Sequence, residues 1–267
     1  MSTAHPEYDL PALEASLAGT LFAGKLHFSA VTGSTNADAN EAARSGAPHG
    51  SVFIADEQTA GRGRGDHGWH SPAGEGLYAS VLFRPQIPAS RVTLLPLAAG
   101  LAAAKAIEAA AGLTVDLRWP NDLLLGPRKA GGLLVESKME GENLAFVVVG
   151  VGINVHQLAF NPGLATLATS LDVEAGRVNS RQSLLIFLLK ALAFEVSELQ
   201  QHASMRGVLD RVEAASTWMR DRAVHVHGPQ ACRGVTAGLD AHGFLRVETE
   251  AGLVTVQTGG IRAADIS

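Results

Sequence analysis

Cysteine is nearly absent: Cys232 is the only one in 267 residues. That excludes an internal disulfide and any cysteine-built metal cluster, and it suits a reducing compartment. Basic residues are also short, with 21 Lys and Arg against 26 Asp and Glu and a net charge of −5. A protein that grips duplex nucleic acid normally shows a basic face; here the cations are scattered outside one short stretch. The N-terminus, Met1 to Leu10, has neither the basic nor the apolar segment of a secretion signal. The longest apolar run, Leu94 to Ala104, is too short to cross a bilayer and is followed by Lys105 and Glu108. No internal repeat and no low-complexity tail is seen. Hydrophobic residues at 46% and charged residues at 18% allow a substantial core and exclude global disorder. A cytoplasmic protein off the membrane is expected, as one large domain or one domain with a small appendage.

One stretch stands out. Between Gln58 and Ser80 lie Gly61, Gly63, Gly65, Gly68, Gly74 and Gly76. Neither a helix nor a central strand tolerates that density, since each glycine there costs roughly 0.5–1 kcal/mol relative to alanine. A loop is predicted, mobile without ligand, whose backbone N–H groups turn toward a bound group. Arg62 and Arg64 add two permanent charges, a combination that suits a phosphate or carboxylate. Trp69 adds a flat surface for stacking a base or covering a ring. A solvated glycine-rich connection would look the same locally, so the surrounding chain has to decide.

Leu10 to Ala18 reads as a short amphipathic helix and Lys25 to Val31 as a strand. Gly33-Ser34-Thr35-Asn36 follows, with a helix predicted from Ala37 to Ser45 and Gly46 as its stop. One of the three polar residues is accounted for as a cap; the others present hydroxyl and amide groups beside a helix N-terminus. Strands are predicted at Ser51 to Asp56 and Leu77 to Phe83, and a long alanine-rich helix at Arg91 to Ala111, closed by Gly112. A short strand, Thr114 to Arg118, leads to Trp119-Pro120-Asn121-Asp122, where Pro120 interrupts the strand and Asn121 and Asp122 are expected in a turn. Asp122 is either an Asx-turn residue or a carboxylate near a reacting centre. Lys129 sits between a turn and Gly131-Gly132, ahead of a strand from Leu133 to Glu136. A turn at Gly141-Glu142-Asn143 precedes an apolar strand, Leu144 to Val149, and Gly150 and Gly152 suggest a ligand or backbone packed close after it. Residues 156–178, with Asn161-Pro162-Gly163 at their centre, read as irregular and too long to be idle. Arg181 to Gln201 is a helix by the spacing of Leu185, Leu188, Leu189, Leu192, Val196 and Leu199, with more helix expected to about Met219. From Ala223 to Ser267 the alternation shortens to about five strands, with a turn at Asp240-Ala241-His242-Gly243. His225 and His227 share one strand side, but no third ligand is evident and no metal is expected there.

Ser34-Thr35-Asn36, the Gln58 to Ser71 loop, Trp119 to Asp122, Arg128 to Glu136 and Gly150 to Asn154 occur in this order. Together they resemble the biotin protein ligase family, over nearly the whole chain. The resemblance implies an α+β fold: a mixed-sheet catalytic domain of the class II synthetase-like, biotin–lipoyl ligase kind over residues 1–220, and a small SH3-like barrel over 221–267. It implies that biotin and Mg-ATP give biotinyl-5′-AMP and pyrophosphate, and that a lysine of a biotin carboxyl carrier domain then displaces AMP. By that resemblance Lys129, Arg64 and Asp122 are the catalytic residues, Asp122 with a weak claim on Mg²⁺. Biotin would meet Ser34, Thr35, Asn36, Gln58, Gly61, Arg62, Gly131, Gly132 and Leu133. The nucleotide would meet Arg62, Arg64, Trp69, Asn121, Lys129, Gly152 and Asn154.

Two departures are visible. Arg118 stands where the family commonly has Lys before Trp-Pro-Asn-Asp, and Gly65, Asp66 and His67 stand where many members carry further arginines. The arm before the first strand is too short for a helix-turn-helix, so a ligase without DNA binding is expected, with room left for a homodimer. A lipoate or octanoate ligase of the same superfamily is the alternative enzyme; Ser34, Thr35 and Gln58 favour a ureido group over an alkyl acid. A nucleic-acid-binding module is the alternative from another class, and the net charge argues against it.

Overall fold

The computed structural model describes residues 8–65, 67–161, 163–164, 166–201 and 205–264; Asp66 and Pro162 lie outside the described residues. A seven-stranded mixed sheet has the order β1-β2-β3-β7-β6-β5-β4. Its strands are β1 (Leu26–Thr32), β2 (Val52–Gln58), β3 (Gly76–Phe83), β4 (Asp116–Arg118), β5 (Asp122–Leu125), β6 (Arg128–Glu140) and β7 (Asn143–Asn154). The β1–β2 pair alone is parallel. A parallel pair needs a crossover, and α2 (Thr35–Arg44) supplies it. The glycine-rich stretch connects β2 to its antiparallel neighbour β3. The β6–β7 hairpin turns at Gly141, whose φ of 62° is readily reached without a side chain.

The central strand β7 has two faces, and they differ. Val147, Val149, Val151 and Ile153 enter the main core under α3 (Leu95–Ala111) and α5 (Arg181–Gln200). Phe146 and Val148 point the other way and join Leu82, Ala39 and Ala43 beneath α2. Past Val148 that second face continues with Gly150, Gly152 and Asn154, so the apolar cover stops and a polar floor begins. The alternation follows from the strand period of two.

The described C-terminal residues form a five-stranded antiparallel sheet in the order β11-β10-β9-β8-β12, from β8 (Arg220–His227), β9 (Cys232–Leu239), β10 (Leu245–Thr249), β11 (Gly252–Val256) and β12 (Gly260–Ala263). Its 240–243 turn docks on the start of α3: Thr93 Oγ1 donates to His242 O at 2.8 Å and Trp119 Nε1 to Gly243 O at 3.1 Å.

Several boundaries differ from expectation. α2 begins at Thr35, two residues early. The long alanine-rich helix is a 3-10 turn (Ala89–Leu94) running into α3, with Pro96 in the first turn, where its missing N–H costs nothing. Taken together, Ala89–Ala111 is long and apolar enough by composition to cross a membrane, yet 67% of that apolar window is buried inside the structure, as a core helix would be. Residues 156–178 contain a short helix, α4 (Leu171–Ala175), capped by Ser170. Helix α1 spans Leu10–Ser16, and helix α6 (Met205–Ala214) ends short of Met219. Asp122 begins a four-residue strand that a turn expectation missed, and β6 starts at Arg128, so Lys129 lies inside a strand rather than before one.

Candidate active site

Strand pairing brings the singled-out residues onto one face. Ser80, Gly150 and Leu134 form one row across β3, β7 and β6, and Gly152, Gly132 and Asp122 form the next across β7, β6 and β5. The glycines are a floor for what lies above them. A Cβ at Gly150 would collide with Asn36 Oδ1, and one at Gly152 would stand 2.5 Å from Trp69 Nε1. At Gly132 it would meet Lys129 Nζ at 3.4 Å and the Trp69 ring at 3.7 Å. The Trp69 indole therefore rests flat on backbone, and its N–H is buried without a partner. An orphaned donor there costs about 1–3 kcal/mol, which favours a bound group that either engages or displaces the ring.

Lys129 shares this face because the β5–β6 register slips: Leu123 pairs with Gly131, but Leu124 pairs with Lys129. The extra residue is a bulge, a device that re-aims a side chain. The Lys129 backbone is held on its far side by residues 167–169, donating to Leu167 O at 2.8 Å and accepting from Thr169 N at 3.0 Å. Its Nζ stands 2.5 Å from Asp122 Oδ1, and Arg118 takes the other carboxylate oxygen at 2.6 and 3.1 Å. Burial alone would raise the Asp122 carboxyl pKa; the adjacent Lys129 and Arg118 cations outweigh it and hold the group below the usual range. Arg118 also donates to Thr166 Oγ1 at 2.9 Å and lies over the Trp218 ring.

Arg64 reaches across to the barrel. It donates to Gly259 O at 2.8 Å and stands 3.5 Å from Asn121 Oδ1. Burial lowers its pKa, partly offset by Asp122. Beside it a cavity of about 220 Å³ opens between the large sheet and the barrel, lined by Leu97, Trp119, Leu133 and Phe244 among others. His227 faces the same region; burial, then Arg262, Arg118 and His225, push its pKa down. His225 and His227 lie on the side of β8 opposite the buried Val224 and Val226, as the alternation implied. No group of metal-ligating side chains forms among the described residues.

The glycine-rich stretch is a hairpin in this structure. Gln58 N donates to Ser71 O, Trp69 N to Gly61 O and Gly63 N to His67 O. Gly61 is needed at its base, where a Cβ would fall 2.5 Å from Trp69 O. Arg62 reaches Glu136 at 3.2 Å.

At the other end of the face, Gln58 Oε1 accepts from Thr35 N at 2.9 Å, and Gln58 Nε2 donates to Ser71 Oγ at 2.8 Å. Ser34 occupies the cap position of α2 without a capping bond, so its hydroxyl is not spent on the helix end. Asn36 is fully engaged inside the protein, with Ser80 on its oxygen and Glu136 on its nitrogen. Gly131 and Leu133 do not face the site. Both lie on the core side, where a Cβ at Gly131 would meet Leu123 and Ile153, and Leu133 packs against α3. The face residue is Leu134, one position on; the bulge shifts the parity that a plain alternation would assume. Asn121 Nδ2 ties to Leu133 O at 2.7 Å and Asn154 Nδ2 to Thr169 O at 2.9 Å, so both amides brace the walls. Sequence reasoning passed over Ser80, Ser71, Asn40 and Glu136. The signal for Ser80 is a lone aliphatic hydroxyl in the largely apolar run Gly76 to Phe83.

Residues 28–154 match the model of the biotin/lipoate A/B protein ligase family. The chain is 34% identical to the bifunctional ligase/repressor BirA of Bacillus spizizenii, over 86% of this chain and 71% of that protein. It is likewise 34% identical to the biotin–[acetyl-CoA-carboxylase] ligase of Mycobacterium tuberculosis, over 87% of this chain and 86% of that one. Among solved structures, the biotin protein ligase from Aquifex aeolicus in complex with biotin and ATP superposes with a TM-score of 0.76 at 26% identity, covering 90% of this chain and all of that one. Fold, site and these likenesses agree that the chain belongs to the biotin protein ligase family.

Proposed function

We propose that the chain activates biotin with ATP and passes it to a lysine of a biotin carboxyl carrier domain. One observation carries this: a single sheet face holds neutral hydrogen-bonding groups at one end and a cation cluster at the other, as a ureido acid and a nucleotide require together.

In the first step a biotin carboxylate oxygen attacks the α-phosphorus. An O–P bond forms, the bond to the bridging oxygen of the β-phosphate breaks, and pyrophosphate leaves. Two anions must meet, so positioned positive charge supplies most of the catalysis. In this reading Lys129 bridges the carboxylate and the α-phosphate, and Arg64, carried with Arg62 on the hairpin above, adds charge. In the second step the carrier amine attacks the anhydride carbonyl, a C–N bond forms, the acyl C–O bond breaks, AMP leaves and the amine's proton passes to water. Asp122 is a poor base for that proton, because Lys129 and Arg118 hold its pKa down. Its role is to orient Lys129.

Magnesium enters as Mg-ATP. Both Asp122 oxygens are committed to cations, so phosphate oxygens and water would carry most of the ion's coordination. Trp69 would cover the adenylate once lifted from Gly152. We assign the chemistry to residues 1–220, place the barrel of 221–267 as its flank through Arg64 and Gly259, and place the reaction in the cytoplasm, where ATP is supplied.

Exchange of labelled pyrophosphate into ATP tests this. Exchange is expected with biotin and not with lipoate or octanoate; exchange with lipoate instead would move the chain to the sister activity.

A further inference from the structure

We infer that Glu136 is a positioning residue that sets the direction of a hydrogen-bond chain ending at Thr35, and so decides that Thr35 accepts from the ureido ring. The inference rests on the proposed biotin chemistry.

The chain starts at a carboxylate, a group that only accepts. Glu136 Oε2 receives Asn36 Nδ2 at 2.7 Å, Asn40 Nδ2 at 2.9 Å and Arg62 at 3.2 Å. The same face of the Asn36 amide meets Leu134 O at 3.4 Å, another acceptor. The Asn36 nitrogen must therefore point to Glu136, and its oxygen to Ser80. Ser80 Oγ lies 2.8 Å from that oxygen and spends its proton there. Ser80 is fully buried, so its remaining neighbour, Thr35 Oγ1 at 2.8 Å, must be the donor to it.

Thr35 has one hydroxyl proton. Gln58 Oε1, 3.1 Å away, competes for it but already has the Thr35 backbone N–H at 2.9 Å. Giving the proton to Ser80 makes the shorter bond, 2.8 against 3.1 Å; giving it to Gln58 leaves two hydroxyl oxygens facing each other at 2.8 Å with no proton between them, a costly arrangement in a buried site. Gln58 is fixed independently, because Ser71 donates to the acceptor-only Trp69 O and so must accept from Gln58 Nε2. The direction of donation thus runs Thr35 to Ser80 to Asn36 to Glu136, and Thr35 Oγ1 is left with lone pairs alone. It matches a ring N–H and repels a ring oxygen.

Glu136→Gln removes this rule, since the amide also donates and allows Asn36 to turn over. The test measures equilibrium binding, by calorimetry without ATP, of biotin and of the two analogues in which one or other ureido N–H is replaced by a ring oxygen. Wild type is expected to prefer biotin strongly over the analogue whose oxygen faces Thr35. Glu136→Gln should weaken biotin on the order of tenfold, the loss of about one hydrogen bond, while weakening that analogue much less, so the preference narrows. Glu136→Asp, still acceptor-only, should keep the wild-type preference. A general loosening of the fold would weaken all three ligands in parallel, and a parallel loss overturns the inference. Wild type that binds no biotin overturns this inference and the proposed function together; wild type that binds biotin with a preference unchanged by Glu136→Gln overturns this one alone.

Discussion

Around Gly150 the working face presents neutral groups, with Thr35, Ser80, Gln58 and Ser71 linked by hydrogen bonds of 2.8 to 2.9 Å, and the Glu136 carboxylate stands behind them on Asn36. One strand step away, around Gly132, Lys129 and Arg118 grip Asp122, and Arg64 approaches from above. The two regions share a glycine floor and differ in what they reward. Neutral groups with fixed donor direction discriminate shape and hydrogen-bond pattern at little electrostatic cost. Cations placed in a partly buried site stabilise developing negative charge and discriminate little. A site that activates an acid needs both, and here they are separated by about one residue pair along the strands.

Substitutions at the charged end should act on turnover and on hold of the adenylate, and those at the neutral end on affinity for biotin. The largest effect is expected for Lys129→Ala, with pyrophosphate exchange falling on the order of 10²–10³-fold, as for loss of one donor to a developing oxyanion. Arg64→Ala removes a charge-assisted donor and should weaken retention of the adenylate by about 1–3 kcal/mol; an unchanged rate of adenylate release into solution would show that Arg64 serves only its bond to Gly259. Thr35→Val keeps the volume and deletes the hydroxyl. It should weaken biotin by about 0.5–1.5 kcal/mol and leave the KM for ATP unchanged, and a matching loss in ATP would dissolve the distinction between the two ends.

The smallest effect concerns stability in acid. The native pKa of Asp122 is lowered from the ordinary 3.8, so its ion pairs stabilise the fold fully above that value and less as pH falls below it toward the native pKa. Urea unfolding of wild type and Asp122→Asn should differ most at neutral pH and converge below pH 3.8; a gap that persists at lower pH would mean the carboxylate charge is not the cause.

Much of this was legible in the residues. Glycine density located the β2–β3 hairpin, leucine spacing located α5, and the five short C-terminal strands emerged from alternation and turns. What escaped depended on pairing. β5 is four residues long, too short to declare a period, and it exists because β4 and β6 flank it. The bulge that turns Lys129 toward the glycine floor, and Leu133 away from it, is a register slip between strands and leaves no local mark. Glu136 and Ser80 are 56 positions apart in the chain and are joined through Asn36, a link only the folded sheet makes.

The most direct test pairs two assays on one variant: biotin binding and pyrophosphate exchange in Lys129→Ala beside wild type. Exchange is expected to fall on the order of a hundredfold or more, while biotin binding without ATP falls much less, on the order of tenfold for the lost bond to the carboxylate, since the neutral end is intact. Exchange close to wild type, or biotin binding lost in step with exchange, would contradict the division of the site into two chemically distinct ends.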